Sequence, residues 1–145
     1  MQRLSVVLAV ALVACSPAPP DHLVIGVEAE NFRWTMRYPG PDRRFGTDDD
    51  RSSASLRLPA GMPVELRLGS QDFVYTFALP DQNVHEAAVP GMEFVVSLSA
   101  QNEGTISLLG NRMCGYDHEG LNGFVTIVDP EEFSQWHLAL PSVVP

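Results

Sequence analysis

The 145-residue sequence predicts an all-β fold, a Greek-key sandwich that ends in one short helix. From residue 54 onward, short apolar or alternating segments recur at regular intervals, and turn-forming residues separate them. This pattern is typical of an antiparallel sandwich or barrel. A helix signal occurs only near the C-terminus. The length suits a single domain with a core of its own.

Two strands open the domain, over residues 23–29 and 32–38. The second strand alternates apolar and polar residues, so its apolar face should point inward. The residues of that face are Phe32, Trp34, Met36 and Tyr38. We expect Trp34 to belong to the core.

Residues 39–53 are rich in proline and glycine and predict a loop. This loop contains three consecutive aspartates, Asp48 to Asp50. A solvated loop is one interpretation of these aspartates. A site for a hard cation is the other, although the spacing is not that of a calcium-binding loop.

Seven further strands and one helix complete the expected fold. The strands cover residues 54–58, 64–68, 73–78, 84–89, 93–99, 105–109 and 123–128. Asp129 is a candidate N-cap, and Pro130 occupies the first helical position. Phe133 and Trp136 should fasten this helix to the sandwich. His22 and His137 are expected at the surface.

The amino terminus has the pattern of an export signal. A charged start precedes the apolar run from Leu4 to Val13, which is too short to span a bilayer. The run ends in Leu12-Val-Ala-Cys15, which resembles the lipobox of bacterial lipoproteins, so Cys15 is the expected lipidation site. The alternative is a chance cysteine beside an ordinary cleavage site. The expected organisation is a signal over residues 1–15, a Pro-rich spacer over 16–21, a domain over 22–138 and a tail over 139–145.

The formal net charge is −9, which disfavours nucleic acid and anionic lipid surfaces as partners. An acidic surface would suit a basic redox partner such as a small cytochrome, but it also serves solubility alone. With Cys15 lipidated, Cys114 is the one remaining cysteine in an oxidising compartment, so it has no internal disulfide partner.

The chemistry of the sequence is concentrated in the predicted loop over residues 109–121, where Cys114 precedes His118 by four residues. Thiolate and imidazole suit copper, and a loop held by strands at both ends fixes their geometry. The alternatives are a buried inert thiol at Cys114 and a histidine at 118 that binds only backbone. Adjacent Asp117 and His118 do not indicate hydrolysis, because no serine partner is at hand.

Over residues 24–138 the chain resembles the periplasmic copper domain of subunit II of haem-copper cytochrome c oxidases, which has a cupredoxin fold. The resemblance depends on an ordered series of short motifs. They are Ala29-Glu-Asn-Phe-Arg-Trp34 with Tyr38, Leu58-Pro-Ala-Gly61, Ser70-Gln-Asp-Phe-Val-Tyr-Thr-Phe77, Val89-Pro-Gly91, Cys114-Gly-Tyr-Asp-His118 and Phe133-Ser-Gln-Trp136.

The resemblance implies a binuclear copper loop whose ligands are only partly present here. Cys114 and His118 match the family's second bridging cysteine and its late histidine. Gly110 stands in place of the first cysteine, Leu121 in place of the methionine, and Tyr75 in place of the earlier histidine. In place of the family's intervening glutamate, which lends a backbone carbonyl to copper, the chain has Arg112.

These departures exclude two copper ions and leave a single ion as the expected cofactor, because one sulfur would not compensate two metal charges. The third ligand would be Tyr75, the Arg112 carbonyl, Met113, Asp117 or His85. For two of these residues an alternative without metal binding remains. Tyr75 also reads as a core aromatic with a bonded hydroxyl, and His85 as a solvated turn residue.

Two departures concern electron transfer. Phe32 replaces the family's exposed tryptophan that receives electrons from cytochrome c, and Met92 replaces an arginine that faces the haem-bearing subunit. A lipid anchor takes the place of the family's membrane hairpin.

The sequence therefore predicts an exported, lipid-anchored cupredoxin that carries electrons or holds copper, and that is not an oxidase by itself. A metal-free interaction or assembly module of a respiratory complex is the alternative, and copper delivery is a weaker one. The expected partners are a c-type cytochrome or a haem-copper oxidase complex, on the periplasmic side of a membrane whose identity stays open.

Overall fold

A computed structural model describes residues 21–113 and 119–143 of the chain. Within these residues, ten strands form two five-stranded sheets that pack face to face, and one α-helix follows them. The cupredoxin-like sandwich predicted from the sequence is confirmed. The strands are β1 (Leu23–Glu30), β2 (Arg33–Tyr38), β3 (Arg51–Ser53), β4 (Arg57–Pro59), β5 (Val64–Ser70), β6 (Tyr75–Leu79), β7 (Val84–Ala88), β8 (Phe94–Leu98), β9 (Gly104–Arg112) and β10 (Gly123–Val128), and the helix is α1 (Pro130–Leu138).

The first sheet has the strand order β3-β2-β1-β5-β8, and the second has β4-β10-β9-β6-β7. Most neighbours are antiparallel, but β1 pairs with β5 and β4 with β10 in parallel. Alternate residues of each strand point into the space between the sheets. The core there contains fully buried Ile25, Leu66, Phe77 and Val125 together with Trp34, as expected for the tryptophan.

Strand β2 begins one residue later than predicted because Asn31 and Phe32 form a two-residue hairpin turn. Both residues have positive φ, 49° and 60°, and Glu30 pairs with Arg33 across the turn. This is the backbone of a type I′ turn, whose twist matches that of the flanking strands. Phe32 is therefore partly buried at the tip of the hairpin, while Trp34, Met36 and Tyr38 are buried in the core.

The loop after β2 is more ordered than a solvated loop. The carboxylate of Asp50 is fully buried, accepts from Arg37 Nε at 2.7 Å and accepts from the backbone N–H of Gly46 at 2.8 Å. The solvated-loop interpretation is wrong for Asp50, because this carboxylate serves as the internal anchor of the loop.

Helix α1 begins as predicted. The Asp129 side chain accepts from the Glu131 N–H at 2.8 Å, and Pro130 follows it at the first helical position. Phe133 and Trp136 both pack against Tyr38, with ring centroids 6.1 and 5.2 Å away. The expected role of these two aromatic residues is confirmed.

His137 is half-buried and not the freely exposed surface group that the sequence predicted. Its Nε2 lies 2.7 Å from the Pro39 carbonyl oxygen, and its ring stacks on Phe133. The prediction for His137 was wrong because the turn after β2 folds over the last turn of α1 and covers the imidazole.

Across the described residues, no helix is both long enough and apolar enough to cross a bilayer.

Candidate metal site

The loop with the candidate ligands connects β9 and β10 at one end of the sandwich. Strand β9 continues to Arg112, three residues beyond its predicted end, because it pairs with β6 from Ala78 to Tyr75. A single turn of 3-10 helix, Glu119–Leu121, leads into β10. The predicted ligands Cys114 and His118, and the weaker candidate Asp117, lie outside the described residues.

Met113 marks the point where the chain enters this loop. Its backbone N–H donates to the Val74 carbonyl at 2.9 Å, which continues the pairing with the β6 side. Its side chain is 48% exposed. Since the backbone is held while the thioether is accessible, Met113 is a donor available at the edge of the loop.

Tyr75 begins β6, where it pairs with Arg112, and its hydroxyl has two hydrogen-bond partners. The hydroxyl donates to Asp72 Oδ1 at 2.8 Å and accepts from the Phe32 N–H at 3.3 Å. Burial and then the hydrogen bond to Asp72 raise the pKa of the Tyr75 hydroxyl. A metal ligand would have to be a phenolate, so this environment opposes ligation by Tyr75.

Asp72 was not singled out from the sequence, although it organises this region. Oδ2 accepts from the Asn31 N–H at 2.8 Å, so one carboxylate connects the β1–β2 hairpin to Tyr75. Burial raises the pKa of Asp72, but the hydrogen bonds from Asn31, Tyr75 and Phe73 outweigh it and the net shift is downward. The feature of the sequence that could have pointed to Asp72 is its position in the motif Ser70-Gln-Asp-Phe-Val-Tyr-Thr-Phe77.

A cluster of aromatic rings surrounds Tyr75, which pairs with the last residue of β9. Phe32 stacks on Phe73 with centroids 5.7 Å apart, and Tyr75 meets Phe32 edge to face at 5.9 Å. Trp34 lies 6.1 Å from Tyr75 and 5.3 Å from Phe77. These contacts make one continuous aromatic cluster around Tyr75.

Arg112 has its guanidinium 4.1 Å from the centroid of the Phe73 ring. It pairs with Tyr75 in the sheet. A cation–π contact therefore stabilises the arginine that stands in place of the family's glutamate. This side chain has no carboxylate to offer a metal ion.

Gly110 stands at the position of the family's first bridging cysteine and has no room for a side chain. A Cβ there would lie 2.7 Å from the Leu121 carbonyl oxygen and 3.0 Å from Trp34 Nε1. Those two atoms hydrogen-bond to each other at 3.0 Å, and Leu121 is fully buried. A binuclear centre therefore does not fit this chain, because its second thiolate would have to displace a core hydrogen bond.

His85 lies on β7 and is exposed. It pairs with Ala78, three residues along β6 from Tyr75. The structure therefore places His85 on the outer face of the second sheet. Among the described residues, no three His, Cys, Asp or Glu side chains are grouped closely enough to hold a metal ion.

Two curated relatives are subunits of cytochrome c oxidases. The chain is 25% identical over 141 residues to the alternative cytochrome c oxidase subunit 2 of Bradyrhizobium diazoefficiens, which covers 81% of this chain and 51% of that protein. It is 28% identical over 117 residues to cytochrome c oxidase subunit 2 of Thermostichus vulcanus, covering 81% of this chain and 33% of the relative. The chain thus spans about half the length or less of these relatives. No family model matches the chain.

Solved structures give the same result for the fold. The periplasmic domain of cytochrome oxidase subunit II of Bradyrhizobium japonicum superposes with a TM-score of 0.67 at 22% identity, covering 81% of this chain and 92% of that domain. A second match is the complex in which a thioredoxin-like protein forms a mixed disulfide with cytochrome c oxidase subunit II. It superposes with a TM-score of 0.64 at 22% identity, covering 83% of this chain and 92% of the matched chain. The chain therefore has the cupredoxin-like fold of the subunit II periplasmic domain and resembles cytochrome c oxidase subunit II in sequence over about four fifths of its length.

Proposed function

We propose that the protein is an exported, lipid-anchored cupredoxin that binds one copper ion and uses it to transfer electrons or to hold copper. The observation that carries the proposal is the location of Cys114 and His118, four residues apart on the connection between two paired strands. Both ends of that connection are held, at Met113 by the Val74 carbonyl and at Leu121 by Trp34.

The donor chemistry favours copper over hard cations. A cysteine thiolate and a histidine imidazole are the ligands that copper shares with soft and borderline metals. The third donor would be the accessible Met113 thioether or the Arg112 carbonyl, since the Tyr75 hydroxyl is committed to Asp72. Bound copper would supply a one-electron couple.

One ion is the limit because of Gly110. The family's second thiolate would need the space that the Leu121 carbonyl and the Trp34 indole occupy. With Leu121 in place of a methionine, the loop would offer no thioether at that position, and in mononuclear copper sites this would favour a higher potential.

The proposed location is the periplasmic side of a bacterial membrane, with Cys15 as the lipid anchor and residues 16–21 as the spacer. The apolar run, the lipobox-like residues before Cys15 and the prolines after it support this location. Which membrane carries the anchor is not assigned.

The proposed partners follow from the relatives. A c-type cytochrome or a haem-copper oxidase complex would exchange electrons with the copper, and the protein would act as a carrier or accessory subunit. A solved relative forms a mixed disulfide with a thioredoxin-like protein. A thiol-disulfide partner of this class would keep Cys114 reduced for metal loading.

A metal-free interaction module is the second candidate, and one observation favours it. Three positions that carry ligands in the family hold Gly110, Leu121 and Tyr75, and each of these is packed or hydrogen-bonded into the core. Because these three positions contribute to the core and not to a metal site, the fold would be stable without a bound metal. Copper delivery is a further variant of the first candidate, in which the under-coordinated ion is handed to an acceptor.

Titration of the purified chain with Cu(I) and Cu(II) separates these candidates. The first predicts a thiolate-to-copper absorption band that disappears in Cys114→Ser and weakens in His118→Ala, with His85→Ala as the matched control that keeps it. The second predicts no band and unchanged thermal stability on copper addition. The copper-delivery variant predicts in addition that the bound ion passes to a copper-free acceptor protein when the two are mixed.

A further inference from the structure

A groove of about 830 Å³ lies at the end of the sandwich opposite the candidate metal site. The start of β1, the loop after β2 and helix α1 form its walls. Strand β1 spans eight residues from the groove to the hairpin at Asn31, which is about 25 Å at the usual rise per residue. The groove is therefore a separate feature of the domain.

The floor of the groove is apolar. Val24 and Phe133 on the floor are 5% and 6% exposed, and Phe45 closes one side. Met62 and Leu138 on the rim are 38% and 69% exposed. The volume falls within the range of small-molecule pockets, so an apolar body of ligand size can be accommodated.

Two arginines flank this apolar surface. Neither Arg43 nor Arg51 has a carboxylate within 4.0 Å among residues 21–113 and 119–143, whereas Arg37 has one and Arg67 has two. Arg51 donates one N–H to the Leu140 carbonyl at 2.9 Å and keeps its other donors. The walls of the groove therefore carry two guanidiniums that no carboxylate of residues 21–113 and 119–143 pairs with.

The other ionisable groups of the groove do not cancel this charge. Asp21 is the one carboxylate on its described walls. His22 faces Glu65, with Nε2 and Oε2 3.5 Å apart. His137 contacts the Pro39 carbonyl, and burial lowers the pKa of its imidazole, so it is neutral at pH 7. The two arginines therefore give the groove a net positive charge.

We propose that this groove binds a single-chain amphipathic anion, with one carboxylate at Arg43 and Arg51 and an unbranched apolar body along Val24 and Phe133. A guanidinium fork matches the geometry of a carboxylate, and the apolar floor takes the chain out of water. The proposal is independent of copper, because none of these residues is a candidate metal ligand.

Backbone amide NMR of the isotopically labelled full chain tests the proposal with two probes of equal length, dodecanoate and dodecan-1-ol, below micelle formation. Dodecanoate should shift amides of the groove, at Arg43, Arg51 and Phe133, and should bind about tenfold more tightly than the alcohol. Shifts located elsewhere, or equal affinity for both probes, would overturn the proposal.

Two surface variants test the charge separately from the fold. Arg43→Gln removes a cation, and Met62→Glu places a carboxylate on the rim, and each should weaken dodecanoate binding about tenfold while leaving dodecan-1-ol binding within twofold. The matched controls are Arg44→Gln on the same loop, outside the groove walls, and Met92→Glu near the opposite end. Unchanged dodecanoate affinity in both groove variants would contradict the assignment.

Discussion

The indole N–H of Trp34 donates to the Leu121 carbonyl at 3.0 Å, and these two residues close the space beside Gly110. The bond joins β2 of the first sheet to the segment that leads into β10 of the second. It therefore ties the two sheets together next to the candidate metal loop. A residue larger than glycine at position 110 would have to break it.

Gly110→Ala should destabilise the domain by about 1–3 kcal/mol, because the new methyl group would overlap the Leu121 carbonyl and the Trp34 indole. Urea unfolding followed by tryptophan fluorescence measures the change. Gly123→Ala is the matched control in a neighbouring strand, since a Cβ there meets nothing within 4 Å. A neutral Gly110→Ala would show that this packing is looser than described.

Gly110→Cys should be destabilised to a similar extent and should still bind no second copper ion. Metal analysis of the refolded variant, loaded with excess copper, tests this expectation. Two ions per chain with wild-type stability would show that the lost thiolate alone separates this chain from a binuclear site.

Tyr75→Phe should cost about 1–2 kcal/mol of stability and leave copper binding unchanged. The variant removes two hydrogen bonds of the hydroxyl, the one to Asp72 and the one from the Phe32 N–H. Chemical denaturation and copper titration measure the two effects. Tyr38→Phe is the matched control, since its hydroxyl is also bonded but lies against α1. A shifted copper band in Tyr75→Phe alone would identify the phenol as a ligand.

Asp50→Asn should lower stability by about 2 kcal/mol, because the buried carboxylate receives a charge-assisted bond from Arg37 and a bond from the Gly46 N–H. Asp48→Asn, two residues away and exposed, should change stability by less than about 0.5 kcal/mol. Equal effects of the two changes would argue against an internal anchor at Asp50.

His137 should make the stability of the domain depend on pH. Burial lowers the pKa of the folded imidazole below its ordinary value of 6.5, so the unfolded chain binds the proton more readily. Stability is therefore full above pH 6.5 and falls as the pH drops from there through the lower folded pKa. Unfolding free energies at pH 7.5 and 5.5 should differ more in the wild type than in His137→Gln. His85→Gln, at an exposed site, should behave like the wild type.

Most strands, the helix cap and the core aromatics follow from local patterns. The exception is the region around β3: that strand lies inside the predicted loop over residues 39–53, and only residues 57 and 58 of the strand predicted over 54–58 are in a strand. Alternation placed Trp34, Met36 and Tyr38 on the buried face, and Asp129 with Pro130 fixed the start of α1. These features depend on neighbours a few residues away in sequence, which is why periodicity and capping residues predict them.

The features that the sequence did not predict depend on long-range contacts. Asp50 and His137 look like solvated residues until Arg37 and Pro39 cover them. The crowding at Gly110 arises from Trp34 and Leu121, which are distant along the chain from each other. No local sequence pattern encodes such long-range contacts, because they form only when distant segments pack together.

Copper content per chain tests the central claim most directly. The wild-type chain, reduced, loaded with copper and freed of excess, should contain one ion per chain with a thiolate-to-copper band, and Cys114→Ser should contain none. Two ions per chain, or an unchanged copper content in Cys114→Ser, would contradict the account. Absence of bound copper from the wild type would contradict it as well and would favour the metal-free module.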